Sequence, residues 1–353
     1  MAKLPLIDVT LRTNYSPHVV ILGAGASRAA APTGDRRGNR LPLMADLVDV
    51  VGLADVLDGC SLSWRGKDFE ALYDGLARDP QHAALVACLE ERIHRYFASL
   101  VIPDRATVYD YLLISLREKD VIATFNWDPF LMQAYRRHAS LRRLPQVLFL
   151  HGNVAVGVCH ACRVKGPAGD SCRRCGESFQ PTRLLYPVAS KDYTSDSFIK
   201  SEWDALRDHL ENAYLVTIFG YSAPATDAAA IELLREVWSR NESRELAQIE
   251  IVDIRDEEDL RAAWGPFITR DHYHTTRSIH ETLIARYPRR SCEAFAWATL
   301  QCDPWPDNRV PVTDSPSELR EWVLPLVAEE NRQESRRAPF SGLPCDQLAG
   351  WAR

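Results

Sequence analysis

Five short apolar runs in this chain each break off abruptly into glycine, amide, imidazole or carboxylate. His18-Val19-Val20-Ile21-Leu22 empties into Gly23-Ala24-Gly25-Ala26-Ser27, and Val121 to Phe125 into Asn126-Trp127-Asp128. Val147 to Leu150 ends in His151-Gly152, Tyr214 to Phe219 in Gly220-Tyr221-Ser222, and Ile249 to Val252 in Asp253. Runs without polar alternation fit strands of a parallel sheet, buried on both faces by crossover helices. Pro129 to Ala139, Ser197 to Asn212 and Asp227 to Arg240 carry the helical spacing such crossovers need. The sequence therefore predicts an α/β fold with a doubly covered parallel sheet.

Ligands of open parallel sheets bind at the carboxyl ends of the strands. That rule brings Asn126, Asp128 and His151 to one edge, offering an amide, a carboxylate and a base that can work near neutral pH. The competing reading is that Asn126 and Asp128 only cap the helix after Pro129. At the first strand, Gly23 and Gly25 let the backbone turn tightly and approach a pyrophosphate, and Ser27 adds a hydroxyl. A lone glycine turn is a weak signal, since many α/β proteins have one for structural reasons. Asp253 can accept both hydroxyls of a ribose, or cap a helix.

Cys159-His160-Ala161-Cys162 and Cys172-Arg173-Arg174-Cys175 form two Cys-x-x-Cys knuckles nine residues apart. Each knuckle points two thiolates at one centre, and the pair completes a tetrahedral Zn²⁺ site. Four sulfur ligands leave no open position, so this zinc is expected to be structural. The nine cysteines are odd in number, which fits metal ligation in a reducing cytoplasm better than a disulfide framework. The segment before Pro17 lacks the apolar core of a signal peptide, and no run approaches membrane-spanning length. The net charge of −6 argues against strong direct nucleic-acid binding, which needs a basic surface.

The remaining chain reads as supporting structure. Ala29 to Asn39 is small, polar and arginine-bearing, the composition of a mobile loop. Leu41 to Leu57, Lys67 to Arg78, Gln81 to Leu100 and Ala106 to Lys119 show helical spacing, with Trp64, Phe69, Tyr73 and Phe97 as an internal core. Thr275 to Ala285 reads as a helix, followed by a Pro- and Trp-containing segment to Pro311. Ser315-Pro316-Ser317-Glu318 starts a last helix, which Pro325 should kink.

Taken in order, strand–GAGAS, strand–TFNWD, strand–HG, the four-cysteine pair, strand–GYS and strand–VD resemble the sirtuin (silent information regulator) family. The resemblance runs from about Val19 to Ala285. It implies a Rossmann-like NAD-binding domain over 18–290, with a helical insertion near 41–105 and a zinc ribbon near 154–180. Residues 291–353 would be a tail for packing or assembly. It also implies that Gly23, Ala24, Gly25 and Ser27 follow the NAD phosphates, and that Asn126 and Asp128 face the nicotinamide ribose and carboxamide. His151 would be the catalytic histidine, Gly220 and Ser222 a second phosphate and ribose turn, and Asp253 the adenosine-ribose position, usually Asn in deacylating members.

The departures fall on one side. The Gly-Ile-Pro-Asp-Phe-Arg segment of deacylating sirtuins is replaced by Arg28 to Asn39, and the Gln of Thr-Gln-Asn-Ile-Asp by Phe125. Leu185-Tyr186-Pro187-Val188-Ala189-Ser190 stands where Phe-Gly-Glu lines the acyl-lysine channel. An intact NAD half beside a missing acyl-lysine half resembles bacterial antiphage effectors that hydrolyse NAD. That implies an NAD⁺ hydrolase, gated by homo-oligomerisation or by a separate activator such as a HerA-type ATPase. A lysine deacylase is the alternative, and a non-catalytic ADP-ribose-binding module the third; retention of both Asn126 and His151 counts against the third.

Overall fold

The computed structural model describes residues 16–59, 63–141, 143–188, 191–223 and 227–337, with side chains to 332. The end of the expected tail and residues Ala189 and Ser190 lie outside them. The expected sheet is present. β1 (His18–Leu22), β2 (Val121–Thr124), β3 (Gln146–Phe149), β7 (Leu215–Phe219), β8 (Gln248–Val252) and β9 (Tyr273–Thr276) pair in the order β3-β2-β1-β7-β8-β9. Every pairing is parallel. Counted within this sheet alone, the order is 3-2-1-4-5-6, that of the Rossmann fold. The chain reverses direction of growth between β1 and β7, and the crevice at that switch point is where such sheets bind ligands.

Helices cover both faces of the sheet. The crossover Phe130–His138 buries Phe130, Leu131 and Ala134, and Ser197–Glu211 buries Phe198, Ile199, Trp203, Leu206 and Leu210. Asp196 caps the second of these by accepting from Phe198 and Ile199 N–H, both at 2.9 Å. This satisfies two donors that the first turn leaves open.

Two insertions interrupt the Rossmann pattern. Between β1 and β2 lies the helical module, led by Phe69–Ala77 and Ala83–Ser99. Its expected first helix is two short ones, Leu47–Val51 and Ala54–Asp58. Gly52 (φ 75°) ends the first in the left-handed conformation open to glycine. Between β3 and β7 lies a three-stranded antiparallel sheet, β5-β4-β6, of Val164–Pro167, Val156–Cys159 and Gln180–Pro181. It docks on β3, an edge strand of the large sheet. Lys165 Nζ donates to Val147 O at 2.6 Å and pairs with Glu202, whose Oε2 accepts from Phe149 N–H at 2.8 Å. Open ladder groups on the edge strand are thereby used.

Three sequence expectations change. Residues 29–39 are not a loose loop. The first helix runs to Ala30, and buried Asp35 accepts from the N–H groups of Arg37, Asn39 and Val101 at 2.8–3.0 Å. The helix expected over 275–285 is instead strand β9 followed by a 3-10 turn, Ile279–Glu281, and a one-turn α-helix, Leu283–Arg286, because Ile249 to Val252 pair with Tyr273 to Thr276. The proline-containing segment after 288 begins with a helix, Ser291–Leu300. The last helix, Pro316–Arg337, runs on through Pro325 and buries Leu319, Val323 and Val327. Arg289, 1% exposed, ties it to the core: its guanidinium pairs with Glu330 and donates to the carbonyls of Ile114, Leu116 and Arg143.

The crevice exists because two glycine turns touch. Gly25 N–H donates to Gly220 O at 2.9 Å, and Gly23 N–H to Phe219 O at 3.0 Å. Gly220 has φ 60°, and a Cβ there would lie 2.4 Å from Ala26 N. Gly220→Ala should therefore cost roughly 2–4 kcal/mol, since backbone rather than a flexible side chain must yield. Urea denaturation of the variant within 0.5 kcal/mol of wild type, roughly the scatter of neutral surface changes, would show that the turns are not in such contact.

Candidate functional site

The geometry starts at the end of β2. Phe125 N–H continues the ladder to Leu22 O at 3.0 Å, and Asn126 N–H then turns onto Thr124 Oγ1 at 3.0 Å. This turn aims the Asn126 side chain back at the first glycine loop, where Nδ2 donates to Gly23 O at 2.8 Å and Ser27 Oγ at 2.9 Å. Ser27 donates in turn to Asp128 Oδ2 at 2.5 Å and shares a hydrogen bond with Tyr109 Oη. The other oxygen of Asp128 accepts from Phe130 N–H at 3.1 Å. Asp128 thus holds the turn into the next helix through one oxygen and lines the cavity beside Ser27 with the other.

His151 follows β3. Gly152 beside it (φ 74°) runs so close to Arg183 that a Cβ would lie 2.0 Å from its carbonyl oxygen. The close passage places Leu185 N–H on His151 O at 2.9 Å. The imidazole meets Phe125 edge-on at 4.8 Å between centroids, and its Nε2 lies 3.4 Å from Tyr193 Oη. Asn153 locks the arrangement by donating to Asn126 O at 3.2 Å and Asp128 O at 2.7 Å.

One cavity of about 860 Å³ joins these groups. Gly23, Ala24, Gly25, Ser27, Asn126, Asp128, His151, Gly220, Ser222 and Asp253 all line it. Every ligand-site residue expected from sequence therefore faces the same space, at the switch point of the sheet. Phe97 and Leu47 of the helical module form part of the wall, so Phe97, read from sequence as core only, serves both. Asp253 does not stand free: it is ion-paired with Arg255, Oδ2 to a terminal guanidinium nitrogen at 3.0 Å.

Burial moves the two acid–base groups in opposite directions. Desolvation raises Asp128 to about 6, against the hydrogen bonds of Ser27 and Phe130, which lower it. Desolvation lowers His151 to about 4, offset in part by the Asp227 carboxylate. His151 is therefore neutral at pH 7, which suits a base, but lies well below the near-neutral value expected from sequence.

The four cysteines of the small sheet also converge. The sulfurs of Cys159, Cys162, Cys172 and Cys175 all lie within 4.8 Å of one another. A tetrahedral metal with ~2.3 Å bonds to sulfur needs separations of about 3.8 Å. The four thiols could hold such an ion.

No family model and no curated protein matches the chain. Among solved structures, it is similar to Sir2 proteins. A Sir2 homologue in complex with NAD has 15% identity and a TM-score of 0.38, over 91% of this chain and 94% of that one. A mutant Sir2 homologue with ADP-ribose has 13% identity and a TM-score of 0.37, over 93% and 98%. Sir2 with a p53 peptide and NAD⁺ has 16% identity and a TM-score of 0.33, over 72% and 88%. At these identities and scores the likeness carries no residue roles to this chain. The Rossmann order is established by the strand pairing itself.

Sequence reasoning missed several groups that the fold brings here. Tyr109 lies within a run read only as a packing helix, yet its hydroxyl touches Ser27 and Asn126. Lys191, Tyr193, Tyr221 and Asp227 gather beside His151. Asp227 was visible only as a helix start.

A raised Asp128 is a stability cost. Its carboxyl titrates near 3.8 when unfolded and about 6 when folded, so its contribution falls as pH rises through that window. Asp128→Asn keeps an acceptor for Phe130 and removes the buried charge. The variant should melt above wild type at pH 8, and that advantage should disappear by pH 3.5. An equal difference at both pH values would contradict the assigned burial.

Proposed function

We propose that this protein is an NAD⁺ hydrolase that releases nicotinamide and ADP-ribose. The observation that carries the reading is the single cavity in which both glycine turns, Asn126, Asp128 and His151 meet. Gly23, Ala24 and Gly25, with Gly220 and Ser222, offer backbone approach to a pyrophosphate, and Asp253 with Arg255 offers polar contacts at a ribose. A volume of about 860 Å³ lies in the range of cofactor-sized pockets.

The chemistry resembles glycoside hydrolysis, with positive charge growing on the ribose anomeric carbon. The carbon–nitrogen bond breaks with its electron pair leaving on nicotinamide, whose positive charge is thereby neutralised. Water forms the new bond to carbon, and its proton passes to His151. Asn126 holds the water or a ribose hydroxyl. Asp128, ionised above about pH 6, orients the carboxamide and faces the developing charge. The sequence departures at Arg28 to Asn39 and Leu185 to Ser190 favour water over an acyl-lysine as acceptor. An enzyme that destroys NAD continuously would exhaust its own cell, so a partner or self-assembly is expected to gate it. Antiphage defence is the setting this chemistry fits. Zinc in the four-cysteine module is structural in this reading, because thiolates fill all four positions.

His151→Ala and Asn126→Ala should each lower nicotinamide release by about 10²–10⁴-fold in folded protein, and Asn126→Ala should also melt lower, since Gly23 O and Ser27 Oγ lose their donor. Near-normal turnover by either variant would remove it from the chemistry. The products with an added acetyl-lysine peptide separate the two enzyme readings. Unchanged ADP-ribose is expected, and peptide-dependent O-acetyl-ADP-ribose would establish a deacylase instead.

Metal analysis of freshly purified protein should find one zinc per chain. Cys159→Ser or Cys175→Ser should release it and destabilise the small sheet, since structural zinc contributes folding free energy directly. Full thermal stability after complete chelation would contradict a structural role.

A further inference from the structure

The mechanism leaves one buried group beside His151 without a task. Asp227 is the residue before the helix Ala228–Arg240, where an aspartate ordinarily caps the first turn, yet its side chain makes no capping hydrogen bond. It turns instead into the cavity wall. There Oδ1 pairs with the Lys191 ammonium and Oδ2 accepts from Tyr221 Oη at 2.8 Å. Both charged side chains are nearly closed to solvent, Lys191 at 3% and Asp227 at 6%. The same Oδ1 lies 4.0 Å from His151 Nε2, and Tyr193 Oη lies 3.4 Å from that nitrogen. Tyr221 stacks on Phe125, which in turn meets the imidazole edge-on.

We infer that Asp227 is a positioning residue, a carboxylate fixed by Lys191 and Tyr221 that supports His151 when the ring takes up a proton. A buried imidazole gains a full positive charge as water attacks, and in a low-dielectric wall that charge needs a nearby partner. A carboxylate at 4.0 Å supplies one through space or through one bridging water. Lys191 and Tyr221 hold the Asp227 side chain in this wall, so the carboxylate is in place before the proton arrives. The forgone helix cap is consistent with a side chain held for the site rather than for its own helix. This role rests on the hydrolase reading, in which His151 is the base.

Asp227→Asn alone leaves a buried ammonium without its partner and can fail to fold. The test therefore compares wild type with the double variant Lys191→Met/Asp227→Asn, which leaves neither charge unpaired. The imidazole of His151, followed by NMR, should titrate at a higher pH in wild type than in the double variant, because the carboxylate stands 4.0 Å from its Nε2. Identical titration in the two overturns the proposal, whether or not either cleaves NAD. In turnover, the double variant should lose about tenfold or more in kcat with NAD affinity unchanged, and Asp227→Glu should recover part of the loss. Weaker NAD binding with unaltered kcat would instead make Asp227 a ligand contact. If wild-type protein releases no nicotinamide with any partner, the hydrolase reading fails, while the titration still decides the Asp227–His151 coupling.

Discussion

The contact between the two glycine turns is the constraint on which the site depends. β1 and β7 are neighbours across the point where the sheet changes its direction of growth. Their carboxyl ends would splay apart if either carried a side chain. With Gly23, Gly25 and Gly220 in place, backbone meets backbone at 2.9 Å, and the space that side chains would have filled becomes the floor of a crevice. A third glycine turn, at Gly152, does the same for the strand bearing His151 by admitting Arg183 backbone. These close approaches set the relative positions of Asn126, His151 and Ser222, and Asn126 adds its own tie to Gly23 O.

Because the backbone carries much of that burden, the side chains that line the crevice sit in environments a stable core would avoid. Asp128 is wholly buried among hydroxyl and amide donors, with no cation among the hydrogen-bond partners assigned to it. Tyr109, also wholly buried, is pushed well above its usual range by desolvation and by the same carboxylate. His151 is pushed down by desolvation. Such mutual disagreement between folding and local electrostatics is expected at functional sites and is compensated elsewhere. Compensation here includes Arg289, whose buried guanidinium joins Glu330 to three backbone carbonyls and fastens the last helix.

What the sequence revealed follows from the range of the interactions involved. Strands β1, β2, β3, β7 and β8 were legible because burial on both faces leaves a continuous apolar run, and each breaks into glycine or a polar residue within one or two positions. β9 was not. Tyr273-His274-Thr275-Thr276 has neither a long apolar run nor alternation, and only pairing with β8 makes it a strand. The cysteine pairs were legible because metal geometry imposes their spacing. Asp227, Lys191 and Tyr109 were not, since they belong to the site only through folding. Lys191 and Asp227 are 36 residues apart in the chain, and Tyr109 is 82 residues from Ser27. No periodicity connects such pairs.

Two carboxylates therefore flank the cavity in contrasting settings. Asp128 faces hydroxyl and amide donors and resists ionisation until about pH 6. Asp227 faces an ammonium and a phenol, and the imidazole of His151 lies just beyond it. Environments that separate the behaviour of like groups are how one site performs several proton-related tasks. Asp128 is suited to meet charge that develops on a bound ligand, where a fully solvated carboxylate would already be compensated by water. Asp227 is suited to meet charge that develops on the protein itself, at His151. The division follows from one asymmetry of the wall: an ammonium pairs with Asp227, whereas among the described residues Asp128 accepts from the neutral donors Ser27 and Phe130.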